Sequence, residues 1–308
     1  MPGDPYMFSR AVETRDAVIK RQKREITKLY ADTAKEIGKL ADYYGRKTTP
    51  SAALQAQYYT ELQRQVVAMQ TEVSKNFEKM VRTNADIVAG SVAQCNSDWL
   101  ARFGIGGPGV NASLSSICNT TVNNILSGNV YADGKSLSAR VWQDLQTNLH
   151  DIRTILAQDM VEQKSVQETA KDLQQYVNPN VQKAWNLRMS DGRYIYKGKV
   201  DYASQRLART VAQHTYQQTF ANTTRKNPFV LKYIWHANGS RACPFCLDRD
   251  GLEFEKWELP LDHPMGMCTM EPLVMSDAAI TNALADWVTN PGLYPEIDEY
   301  AADLGFEE

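Results

Sequence analysis

Histidine and cysteine are scarce in this chain, with four and five copies in 308 residues. The histidines have no carboxylate partners nearby in sequence, so no nucleophile–base pattern for hydrolysis is visible. The glycine-rich stretch "RFGIGGPGVN" (102–111) is followed by no GKS or GKT, and no clear strand precedes it. It therefore reads as a turn rather than a phosphate-binding loop. No run of eighteen apolar residues occurs, so no membrane span is expected. The opening "MPGDPYMFSRAVETRD" has neither the basic region nor the apolar block of a signal peptide. These absences lead to the expectation of a non-enzymatic protein kept in the cytosol, with no small-molecule substrate and no membrane partner. In that compartment clustered cysteines point to metal or catalysis rather than disulfides.

What is present is an ordinary globular composition, 43% hydrophobic and 23% charged, long enough for two modest domains. The net charge of −2 hides an uneven distribution. Residues 1–50 carry eleven Lys/Arg against seven Asp/Glu, and residues 250–308 carry one Lys against fourteen acids. Lys20, Arg21, Lys23, Arg24 and Lys28 crowd one part of the N-terminal segment and are candidates for contacting nucleic acid.

Apolar residues at Val12, Ile19, Ile26, Tyr30, Ile37, Leu40 and Tyr44 predict a long helix over 6–44. After "GRKTTPS", Thr49 as cap and Pro50 in the first turn predict a second helix. It carries Tyr58, Leu62, Val66, Met69, Val73, Phe77 and Met80 at steps of three and four. The two should pair as an antiparallel hairpin, with 1–100 as an arm. Residues 101–200 read as a helical linker and helical domain, with helices near 113–127, 136–163 and 165–177. The last of these starts with a Ser165/Glu168 capping box. "DGRYIYKGK" (191–199) is strand-like, and a helix is expected over 201–225. "FVLKYIWHA" (229–237), "GLEFEKW" and "CTMEPLVM" read as strands, followed by a last helix over 276–289. The fold class is thus mainly α, with a C-terminal α+β domain (201–290) that holds a small sheet and a Cys/His cluster. An acidic tail occupies 291–308.

Three of the five cysteines lie close together, in "ACPFCLDRDG" and "HPMGMC". Cys-Pro-Phe-Cys resembles a glutaredoxin-type site. However, Asp250-Gly251 stops any helix early and the surrounding βαβ pattern is missing, which disfavours redox chemistry. A zinc deaminase needs H-x-E upstream of P-C-x-x-C, and neither His214 nor His236 is followed by that glutamate. Cys243, Cys246, His263 and Cys268 offer three sulfurs and one nitrogen, a set suited to a closed structural zinc site. The spacing is equally compatible with buried reduced thiols.

"YIWHANGSRACPFCLDRDG" followed by "LPLDHPMGMCTMEP" resembles the C-terminal signature of the phage Mu F-like minor head proteins. That family shows a tryptophan, C-x-x-C, a D-G-type turn and a P-x-x-H-P-x-C-x-C stretch leading into a strand. Trp235, Cys243, Cys246, Gly251, Pro260, His263, Pro264 and Cys268 match these positions. "LARTVAQHTYQQTFAN" resembles the family's A-R-T helix through Ala208, Arg209 and Thr210, and the likeness covers about 136–275. The chain departs from the pattern at Gly266, where the family has cysteine, at Met265 and Met267, where it has asparagine and arginine, and at Val211, where glutamate is usual.

The resemblance implies a tailed-phage virion protein located in the head, and in the host cytoplasm during assembly. It would be associated with the portal or the major capsid protein and act in head morphogenesis, DNA packaging or DNA ejection. Packaged double-stranded DNA is a second expected partner, contacted by the basic helix. The arm is expected to dock the protein into particles, and the C-terminal third to fold on its own after deletion of residues 1–100.

Overall fold

The computed structural model describes residues 7–47, 51–181, 186–188, 194–196, 200–239, 242–290 and 292–306. Thr49 and Pro50, and residues 191–193 and 197–199 of the strand-like stretch, lie outside the described residues. The helices are α1 (Ser9–Gly45), α2 (Ala52–Ala101), α3 (Pro108–Ser127), α4 (Leu137–Val161), α5 (Val166–Val177), α6 (Tyr202–Thr224), α7 (Pro244–Leu247), α8 (Asp277–Thr289) and α9 (Pro295–Asp303). The strands are β1 (Asn186–Arg188), β2 (Tyr194–Tyr196), β3 (Val230–His236), β4 (Glu253–Phe254) and β5 (Thr269–Val274). The fold is mainly helical, with an N-terminal helical hairpin and a small antiparallel sheet at the C-terminal end, ordered β4-β3-β5. No helix among the described residues is long and apolar enough to cross a membrane.

The hairpin is antiparallel. Thr14 receives a 3.0 Å hydrogen bond from Ser91, and the Tyr44 and Tyr58 rings lie 5.5 Å apart. The chain divides into two compact units that are discontinuous in sequence. One comprises Met1–Ile19, Val81–Ser136 and Ala208–Glu308, and the other Lys20–Met80 and Leu137–Leu207. Three of the four boundaries fall inside α1, α2 and α6, and the fourth lies just before α4.

The second unit is helical apart from the β1–β2 pair, whose register sets Leu187 opposite Ile195. Its core follows from 3-4 spacing. Buried positions are Ile26, Tyr30, Ala34, Ile37, Ala41 and Tyr44 on α1, and Tyr59, Leu62, Val66, Val73 and Phe77 on α2. Val166, Ala170, Leu173 and Val177 continue the pattern on α5. Leu40, Tyr58, Met69 and Met80, expected on the apolar stripes, are only half-buried. The capping box at Ser165/Glu168 is formed. Just before it, the Lys164 ammonium holds Asp159 at 2.8 Å and Asp172 at 2.7 Å, pinning the α4–α5 turn.

The first unit is built around Tyr216 and Phe220 of α6 and Tyr233 and Trp235 of β3. Phe8, Ala11 and Val18 of the N-terminal segment pack into this same core, as do Val88, Val92, Trp99 and Leu100 of α2 and Leu114 of α3. The Phe8 and Phe220 rings meet edge-on at 4.8 Å. This bears on the expectation that the C-terminal third folds by itself, which truncation would test. The apolar face of α6 and the sheet is covered by residues from the first hundred positions. A further helix that the sequence patterns did not predict, α9, also belongs here. Pro295 opens it, and Ile297, Tyr300 and Leu304 are buried.

Tyr233 gives this core a pH signature. Its hydroxyl sits 2.8 Å from Thr224 Oγ1, and burial pushes the phenol up from 10.0 to about 12. Because the folded value lies above the unfolded one, its contribution is fully present below pH 10 and lost as pH rises towards 12. A displacement of that size corresponds to about 3 kcal/mol. Alkaline unfolding followed by near-ultraviolet absorbance should fall in this window, and Tyr233→Phe should shallow the loss of stability there. A variant with an unchanged alkaline transition would contradict this.

Candidate metal centre

The sheet brings the two halves of the cysteine motif together. β3 pairs with β5 so that Trp235 faces Met270 and His236 faces Thr269. The chain leaving β3 reaches Cys243 after a short loop, and the chain entering β5 has just passed Cys268. On the other edge, Gly251 donates to the Trp235 carbonyl at 2.8 Å and Trp235 to the Leu252 carbonyl at 3.0 Å. These bonds fold the Cys243–Gly251 segment back onto the strand. Gly251 has φ 76°, the left-handed conformation that glycine adopts without strain.

All four predicted ligands lie in this region, as two overlapping triples rather than one foursome. Cys243, Cys246 and His263 form the first, and Cys246, Asp262 and Cys268 the second, with ligand atoms within 4.8 Å of one another in each. Tetrahedral zinc with sulfur ligands at about 2.3 Å sets their mutual separations near 3.8 Å. Within each triple the groups are thus within about one ångström of coordination distance. Cys243 Sγ and His263 Nε2 are already 3.3 Å apart. His263 Nδ1 lies 2.8 Å from the Pro264 carbonyl, which can only accept. Nδ1 therefore carries the proton, and Nε2 turns its lone pair toward Cys243. A metal-binding histidine is oriented in the same way.

Burial separates the thiols. The Cys246 N–H, more than the His263 imidazole, pulls the half-exposed Cys243 below its ordinary value. Burial, with help from the neighbouring Cys268 and Cys243 sulfurs, raises Cys246. Burial and then the charge of Asp262 raise Cys268. His263 is raised, chiefly by its bond to Pro264. A metal ion would offset the cost of holding Cys246 and Cys268 as thiolates.

Asp262, which no sequence motif singles out, is the hub of the site. Its Oδ1 accepts from the His263 N–H at 2.8 Å, and its Oδ2 from the Cys268 N–H at 3.2 Å and from Gln213 Nε2 at 2.9 Å. Gly266, where the resembling family has cysteine, has no room for a side chain, because a Cβ there would land on the Asp262 carboxylate. In the His263–Gly266 turn, closed by a 2.9 Å bond, Met265 takes φ 69°. Asparagine adopts that conformation more easily. The Met265 N–H donates to Thr210 Oγ1 at 3.1 Å.

One helix face organises the loop. Thr210, Gln213, His214 and Gln217 lie at i, i+3, i+4 and i+7 of α6, spacing that ordinarily marks an apolar stripe. Gln213 also donates to the Cys268 carbonyl at 2.8 Å. His214 Nε2 donates to the Asp262 carbonyl at 2.9 Å. Gln217 donates to the Pro260 carbonyl at 2.6 Å and accepts from the Asp262 N–H at 2.7 Å. Behind them Arg15, 2% exposed, donates to Gln213 Oε1 at 2.8 Å and the Cys268 carbonyl at 3.1 Å, with its guanidinium 4.9 Å over the Tyr216 ring. A run of buried glutamine, histidine and threonine opposite a cysteine loop is the signal that could have revealed this clamp. Glutamine satisfies a carbonyl and an amide N–H at once.

The nucleic-acid candidates lie elsewhere, on the part of α1 that belongs to the second unit. Lys20, Arg21, Lys23, Arg24 and Lys28 are all exposed. Lys20, Arg24 and Lys28 form one row at i, i+4 and i+8. Arg21 has Glu25 at 3.8 Å and Lys28 has Asp32 at 3.3 Å. The division into units sharpens the charge asymmetry. The second unit holds 22 Lys/Arg against 15 Asp/Glu, and the first 12 against 21. The chain matches no protein-family model, no curated protein and no solved structure.

Proposed function

We propose that the chain is a structural, non-enzymatic minor head protein of a tailed phage, associated with the portal or the inner capsid and acting in head assembly or DNA delivery. The observation that carries this reading is the run of signature residues from Trp235 to Cys268, several of which have specific jobs around one site. Trp235, on the central strand, exchanges the backbone bonds that fold the C-x-x-C segment back, Gly251 makes the turn, and the cysteines and His263 meet in two overlapping triples. In this reading Cys243, Cys246, His263 and Cys268 hold a structural zinc ion, with Asp262 fixing the loop. The ion would cross-link the segment between β3 and β5. The test is to purify heads and quantify this chain by mass spectrometry. A few copies per particle are expected, and its absence from intact heads would overturn the reading.

A second role, contact with packaged double-stranded DNA, is favoured by the exposed basic row and the excess of seven positive charges in the second unit. Replacing Lys20, Arg21, Lys23 and Arg24 with Gln should flatten the dependence of log affinity on log salt by about 0.9 for each phosphate no longer neutralised. An unchanged slope in fluorescence anisotropy would assign these charges to solvation or to an acidic protein partner.

A further inference from the structure

Within the acidic first unit lies a cavity of about 440 Å³ between α3, the end of α6, α9 and the segment after β4. Its wall includes Arg225, Trp257, Ser116 and Thr120. Arg225 is half-buried and its guanidinium lies 5.1 Å over the Trp257 ring. Its Nε donates to the Ala221 carbonyl at 3.2 Å, and no carboxylate partners it among the described residues. Burial lowers its pKa, as expected of a cation without a counter-charge. The other charged residues lining the cavity, Lys226 and Asp303, neutralise each other at 2.8 Å. Lys256, also half-buried, rests on the Asn227 carbonyl at 2.9 Å beside Trp257. The indole is 68% exposed.

We propose that this cavity binds a nucleoside monophosphate group, with the phosphate on the Arg225 guanidinium and the Ser116 and Thr120 hydroxyls and the base stacked on Trp257. A guanidinium presents paired N–H donors that match phosphate oxygens, and no carboxylate among the described residues competes for those of Arg225. An exposed indole next to it accepts a planar base irrespective of its identity. The volume lies within the range of small-molecule sites. The same chemistry is offered by a free mononucleotide and by the 5′-phosphorylated end of a nucleic-acid strand.

The test is a fluorescence titration of the full chain with AMP, adenosine, inorganic phosphate and a 5′-phosphorylated single-stranded oligonucleotide, using Trp257→Phe to isolate the responding indole. AMP should quench saturably, more tightly than either adenosine or phosphate. Arg225→Gln should weaken it about tenfold or more, the scale of a charge-assisted bond. Trp257→Ala, at an exposed position where folding is not at stake and read by isothermal titration calorimetry because it lacks the reporting indole, should abolish the advantage of AMP over phosphate. Tighter binding of the oligonucleotide than of AMP identifies a strand end as the ligand, and the reverse identifies a free nucleotide. No saturable quenching, equal affinity for AMP and phosphate, or full binding in folded Arg225→Gln would each overturn the proposal.

Discussion

Deleting residues 1–100 is expected to leave residues 101–308 without a cooperative fold. Phe8, Val18, Val88, Val92, Trp99 and Leu100 would all be withdrawn from the core that covers α6 and the sheet. Each large apolar side chain contributes about 1.5–3 kcal/mol by burial, so their combined loss is comparable with the whole 5–15 kcal/mol stability of a domain. Arg15 goes with them, leaving the inner side of Gln213 and the Cys268 carbonyl without their charged donor. The single substitution Phe8→Ala, which empties the edge-on contact with Phe220, should cost about 3–5 kcal/mol by itself. Circular dichroism and calorimetry of the truncated chain decide the matter. A sharp melt near that of the full chain would show that the C-terminal third is independent and that the N-terminal segment only rests against it. A particle-docking role for the hairpin is therefore better tested by substituting the exposed residues of α1 and α2 than by deletion.

The second large effect is expected at Cys246, the one residue common to both triples. Protein prepared without chelators should carry close to one zinc per chain, and Cys246→Ala should carry none. Structural zinc supplies about 10–16 kcal/mol of apparent binding energy at neutral pH, so loss of the ion should unfold the segment between β3 and β5 outright. Cys243→Ala, at the half-exposed edge, should lower affinity but retain some metal. The pH dependence has a definite sign. Cys246 and Cys268 are raised above the ordinary thiol value, so at neutral pH both are protonated without metal and must release their protons on binding. Affinity should therefore climb with pH. Asp262→Ala separates the hub from the ligands. It leaves the N–H groups of His263 and Cys268 unpaired, each costing about 1–3 kcal/mol, and takes from Gln213 Nε2 one of its two acceptors, with Cys243, Cys246, His263 and Cys268 still present. Elemental analysis together with thermal melts tests both. Wild-type protein that is metal-free and equally stable would leave the cluster as buried reduced thiols.

Much of the local structure was legible in the sequence because it is written in local chemistry. Apolar steps of three and four predict helices wherever they occur, since one helix face must be buried regardless of what buries it. The Ser165/Glu168 box and Gly251 mark a start and a tight turn for reasons confined to a few neighbouring atoms. The β-branched and aromatic run 230–236 is a strand for the same kind of reason, and the C-x-x-C and H-x4-C pairs named the candidate ligands. Tertiary structure alone decided what covers what. Periodicity says that a face is apolar but not which face it meets, so the presence of Phe8 and Val92 in the core of the sheet could not be read from spacing. Asp262 looks like any loop carboxylate until Gln213, 49 positions away, and the backbone of Cys268 are brought to it. Arg15 looks like a solvated helix charge until Gln213 and the Cys268 carbonyl enclose it across 198 and 253 positions. Burying a polar group is tolerated only when its partners are in place, and those partners come from distant parts of the chain.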